Sequence, residues 1–135
     1  MKPSTHLISA LLLVLAATVG AAAAPRPAAP PAELAAAVQG SWVLNEAYRI
    51  RLSRSGRGLR VHQEVMRLGR RVVRDEPVQY EEASGLLRFQ GVGAIHRLVV
   101  TLRRNGTGLD FAFSSEISPG EWIFGVWQQA RRPSR

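Results

Sequence analysis

Between Trp42 and Trp127 the apolar residues recur at every second position, and that period limits the fold more than any other feature of the chain. Leu109, Phe111 and Phe113 alternate with Asp110, Ala112 and Ser114; Leu59, Val61 and Val65 alternate with Arg60, His62 and Glu64. Successive side chains of a strand point to opposite faces, so the pattern describes strands with one buried and one wet face. Turn chemistry separates the runs: SRSGRG (53–58), Gly69-Arg70, Pro77, Ala83-Ser84-Gly85, GVGA (91–94), Asn105-Gly106 and Pro119-Gly120. Asn-Gly is the strongest hairpin signal among them.

Trp42, Leu44, Tyr48, Ile50 and Leu52 read as one face of a first strand, and Pro77 as the break between two later ones. Leu98 to Arg103 is a further strand, and Glu121 to Arg131 is the last run. This gives about eight short strands at hairpin-length spacing, the pattern of a sandwich or a barrel. An up-and-down meander closes most simply into a barrel, which leaves no exposed edge. The expectation is an all-β chain: a small antiparallel up-and-down barrel of about eight strands.

What precedes the barrel has another texture. Met1-Lys2, the uncharged apolar run Leu7 to Val19 and the small residues Gly20 to Ala24 have the grammar of a secretory signal peptide. The apolar run is shorter than the ~20 residues that span a bilayer, so no transmembrane segment is expected. PRPAAPPAELAAA (25–37) reads as an extended tether, with one short helical turn at Glu33 to Val38. The expected organisation is a signal peptide (1–24), a flexible Pro/Ala-rich linker (25–38) and a barrel domain (39–135). The chain would be exported, to the periplasm or exterior of a bacterium.

The chain has no cysteine, which excludes disulfides, thiol catalysis and thiolate metal sites. All nine aromatics lie between Trp42 and Trp127, so the core has to be built there. Lysine and arginine exceed aspartate and glutamate by 18 to 10, for a net charge of +8. The arginines are scattered over many runs with acids between them, notably Asp75-Glu76 and Glu81-Glu82, so no nucleic-acid face is expected.

On parity the interior would be lined by Tyr48, Ile50, Val61, Leu98, Val100, Phe111, Phe113 and Phe124, with Glu46 as a polar anchor for a ligand. A bulge near Asn45-Glu46 would instead turn that carboxylate outward. His62 and Glu64 share a face and could orient a proton or hold a metal with His96, but they sit opposite Leu59, Val61 and Val65, and a solvated strand face is the better explanation. No nucleophile elbow and no phosphate loop occurs, so no catalytic residue, metal or cofactor is expected. The last run is apolar on both faces, with Trp122, Phe124 and Val126 on one and Ile123, Gly125 and Trp127 on the other. Trp127 is therefore a candidate partner surface, and a homodimer through this strand would cover it.

Gly40-Ser41-Trp42, with GVWQQARR (125–132) at the other end, resembles the Gly-x-Trp signature of the lipocalin-like (calycin) barrels. The resemblance implies that Trp42 plugs one barrel end, entered through Gly40, and that Arg131 or Arg132 packs across its indole. It also implies a lumen that binds an apolar or amphipathic, lipid-like molecule. AELAAAVQGSWVL (32–44) is similar to the opening of the Inh-type inhibitors of bacterial metalloproteases. That likeness implies a non-enzymatic interaction module whose N-terminal tail enters a secreted protease.

Overall fold

The computed structural model describes residues 28–93 and 96–134. The expected signal peptide and the first residues of the expected linker lie outside the described residues. Among the described residues one helix, α1 (Ala32–Val38), is followed by nine strands: β1 (Gly40–Asn45), β2 (Tyr48–Ser55), β3 (Gly58–Arg67), β4 (Arg70–Glu81), β5 (Leu86–Gln90), β6 (Arg97–Asn105), β7 (Gly108–Ser118), β8 (Glu121–Phe124) and β9 (Gln128–Gln129). β1 to β8 are antiparallel neighbours in chain order, and β9 pairs with β7. The fold is all-β, a meander curled into a barrel-like sheet. Its two ends meet where Val43 and Arg131 exchange backbone hydrogen bonds of 2.7 and 3.0 Å.

The strand boundaries depart from the period-two reading in two places. Glu46 and Ala47 form a turn, so the run from Trp42 to Leu52 is a hairpin of β1 and β2 and not one strand. Parity is kept across the turn, which is why the sequence hides it. β4, conversely, runs straight through Pro77. β4 pairs with β3 from Arg70 to Val78 but with β5 only from Gln79 to Glu81, so at Pro77 one edge of the strand has no partner. A strand tolerates a proline where its missing N–H faces no neighbour. This change of partner along β4 divides the sheet into two halves, β1–β4 and β4–β9.

The interior is filled by side chains. Val100, Leu102, Leu109 and Phe111 are fully buried, and Ile50, Leu52, Val61, Leu87 and Phe89 nearly so. Phe113 packs its ring against Phe111 at 5.2 Å and against Tyr48 at 5.3 Å. The segment read as a flexible linker is docked from Ala28 onward: Ala28 bridges to Tyr80, and Ala35 and Val38 are buried in the core. Ala35 and Val38, three residues apart, with Leu34 beside them give α1 a small apolar face that packs against the core. Arg54 donates to Ala32 O at 3.3 Å and Arg104 reaches Glu33 at 3.4 Å, tying α1 to the β2–β3 and β6–β7 turns.

Candidate functional site

Trp42 donates its indole N–H to Val38 O at 2.9 Å, and the Arg132 guanidinium lies 3.6 Å over its ring. Arg132 also donates to Gln39 O at 3.0 Å and Ser41 O at 3.2 Å. Gly40 between them has φ +104°, and a Cβ there would sit 2.9 Å from the Arg132 Nη1. The positive φ favours glycine there, and a Cβ would press on the end of the Arg132 side chain. Arg131 contributes only its backbone, to Val43. The assembly ties the residues after β9 to the start of β1 and to the end of α1.

Polar groups do occur inside. Gln63 is fully buried, and its side-chain N–H donates to Gln90 O at 2.9 Å. The Tyr48 hydroxyl donates to Gln63 Oε1 and accepts from Val92 N–H at 3.0 Å. This chain links β2 and β3 of one half to the β5–β6 loop of the other. Burial pushes the Tyr48 hydroxyl up to about 12 from 10.0, against the opposing pull of the Val92 amide and the Arg74 charge. Gln63 shares the parity of Val61 and Val65, so its inward position was readable; its partner Gln90 was not, because the contact crosses the barrel.

Of the expected lumen residues, Tyr48, Ile50, Val61, Val100 and Phe111 are buried, and Leu98 and Phe113 pack against them. Two are elsewhere. Glu46 is exposed in the β1–β2 turn, where the register shift between Val43 and Asn45 carries it out of the interior. Phe124 is 76% exposed on the outside of β8. His62 and Glu64 lie on the outer face of β3, while His96 precedes β6 in the other half of the sheet. Among the described residues no group of three or more His, Cys, Asp or Glu side chains could hold a metal ion.

The recess with the most apolar lining is also outside. Leu86, Arg88, Val99, Thr101, Ala112, Ser114, Trp122, Phe124, Gly125 and Trp127 enclose about 450 Å3 on the outer face of β5 to β8. A bulge assembles its aromatic wall. Phe124 lies opposite Ser114 but Gln128 opposite Phe111, so one extra residue is inserted around Gly125. Parity therefore changes along the run, and Trp127 joins Trp122 and Phe124 on one face where strict alternation separates them. Gly125 N–H donates to Phe113 O at 2.7 Å, and a Cβ at Gly125 would lie 2.6 Å from that oxygen. Only glycine fits.

The arginines on this face are all engaged. Arg103 lies 4.2 Å over the Trp127 ring and 3.1 Å from Asp110; Arg97 lies 5.7 Å over Trp122 and 3.6 Å from Glu116. Arg88 pairs with Glu81, whose carboxyl is held below the usual carboxylate range by the Ser84 hydroxyl and by Arg88. What remains is an apolar slot with small residues on its floor, aromatic rings on one wall and a charge-compensated rim. No family model, curated protein or solved structure matches the chain.

Proposed function

We propose that the chain is a non-enzymatic binding protein for an apolar or amphipathic small molecule, held in the outer groove of β5 to β8 and not within the barrel. One observation carries the reading: the interior is packed with fully buried Phe111, Leu102 and Leu109, whereas the groove outside holds about 450 Å3 beside three aromatic rings. That volume lies within the roughly 300–1,000 Å3 range of small-molecule sites, and an apolar lining with few polar groups is what such sites share. The Arg132–Trp42 stack supports a lipocalin-like kinship for the scaffold.

The test is calorimetric titration with dodecanoate. Binding to the wild-type chain that is lost in Ala112→Phe, which fills the groove floor, supports the reading. Undiminished binding in that variant would contradict it, and so would no binding by the wild type.

A second reading is a protein-interaction module. Among the described residues β8 pairs only with β7, and Ile123, Phe124 and Val126 around its free edge are exposed. A second copy adding its own β8 there would bury them. The tail-insertion mode of a protease inhibitor has less support, because residues 28–38 are engaged with the barrel.

A further inference from the structure

A second recess, of about 350 Å3, opens on the outer face of β1 to β3 and is lined by Ser41, Trp42, Val43, Arg49, Ile50, Arg51, His62, Glu64 and Pro133. Its chemistry is the reverse of the aromatic groove. The strand register sets two cross-strand rows over it: Ser41, Arg51, His62 and Asp75 in one, and Val43, Arg49, Glu64 and Val73 in the other. Arg49 and Arg51 stand two positions apart on β2, both exposed and on the same side.

Among the described residues neither arginine has a carboxylate within 4.0 Å. The acids on their cross-strand rows are committed elsewhere, and Glu46, which lines a neighbouring recess with Arg49, comes no closer than 4.0 Å to it. Glu64 stands directly across from Arg49 in the register, yet its carboxylate is held by Arg71 at 2.5 Å. Asp75 is held by His62 Nδ1 at 2.8 Å. Two guanidinium groups are thus left facing one small recess, with the Ser41 side chain on the same row as Arg51.

We infer that this recess is an oxyanion site, made for the phosphate monoester group of a ligand. Residues i and i+2 of a strand are about 6.6 Å apart, close enough for two long arginine side chains to converge on one tetrahedral anion. A guanidinium offers a planar fork of donors that matches phosphate oxygens in pairs, and two of them match a dianion better than a single carboxylate. Glu64 opposes the anion from the rim, so removing its charge strengthens binding. The site is independent of the aromatic groove.

The experiment titrates the full chain with inorganic phosphate at constant ionic strength, following the arginine Nε–Hε resonances by NMR. Saturable shifts are expected at Arg49 and Arg51. Arg49→Gln with Arg51→Gln weakens binding by at least about tenfold, Glu64→Gln tightens it by about threefold, and the turn pair Arg57→Gln with Arg70→Gln leaves it unchanged. No saturable shift at these two arginines overturns the proposal, as does an equal loss in the turn-pair variant, which would show a general positive field. Phosphatidylcholine vesicles carrying phosphatidic acid separate the sources of the same chemistry. Sedimentation of the chain with them that depends on Arg49 and Arg51 assigns a lipid headgroup; phosphate binding without it assigns a soluble phosphate ester.

Discussion

Both halves of the curled sheet present arginines outward, and they use them in opposite ways. On β5 to β9 every outward arginine of the groove is matched by a carboxylate, and two also cover tryptophans, so the space between them is apolar. On β1 to β3 the carboxylates are drawn off by Arg71 and His62, and among the described residues Arg49 and Arg51 are left without a carboxylate within 4.0 Å. Both halves carry more arginines than acids; pairing decides. A basic sequence says little about where its positive field lies until the partner of each arginine is known. Exposed pairs of this kind add little stability, with a median of about 0–1 kcal/mol, so their effect is to distribute charge over the surface.

The comparison breaks hardest at Gly125. Gly125→Val drives a Cβ into Phe113 O, 2.6 Å away, and undoes the bulge that brings Trp127 beside Trp122. A loss of about 3 kcal/mol in urea unfolding is expected, with dodecanoate binding abolished and the Arg49 and Arg51 resonances unmoved. Should those resonances move equally, the halves are not independent.

The next largest effect is on the seam between them. Tyr48→Phe leaves Gln63 Oε1 and Val92 N–H without their partner, for a loss of about 1–3 kcal/mol. The hydroxyl also sets an alkaline limit. Its pKa is raised from 10.0 to about 12 in the folded chain, so its stabilisation is whole below pH 10 and is lost as pH rises toward 12. Unfolding followed against pH is expected to decline over that window in the wild type and less steeply in Tyr48→Phe. A smaller cost, about 1 kcal/mol, is expected for Arg132→Lys, which keeps a cation over Trp42 but loses the planar fork that reaches the Gln39 and Ser41 carbonyls.

Acid acts on the first half. The Arg71 hydrogen bond, helped by His62, holds the Glu64 carboxyl below its ordinary value of 4.5. Its contribution is present above that value and fades as pH falls through the lowered one. Glu64→Gln is expected to flatten the acid limb of the stability curve, and an unchanged limb would remove Glu64 from the account. Smallest of all is Glu46→Gln in the exposed β1–β2 turn, expected to change stability by no more than about 0.5 kcal/mol and to leave both sites intact.

The alternation of Leu109, Phe111 and Phe113, and the Asn105-Gly106 turn, made the β6–β7 hairpin legible, because period and turn type are local properties. The two-residue turn at Glu46-Ala47 was not: a hairpin that preserves parity resembles one long strand. Pro77 misled in the other direction, since whether a proline ends a strand depends on the neighbour its backbone faces. The wall of the aromatic groove was hidden for a related reason. One inserted residue at Gly125 reverses parity, and only the pairing with β7 reveals the insertion. Arg49 and Arg51 alternate with Tyr48, Ile50 and Leu52 in the sequence, but their freedom from carboxylates is a property of the register with β3 and β4. What the sequence left open, in each case, was the identity of a partner.

The central claim, that the ligand lies outside a filled barrel, is tested most directly by a spin-labelled fatty acid read on the three tryptophan indole N–H resonances. Trp122 and Trp127 line the groove, whereas Trp42 is buried beneath Arg132. Broadening of Trp122 and Trp127 with Trp42 left sharp is the predicted result. Broadening of Trp42 ahead of the other two would place the ligand inside the barrel and contradict the account.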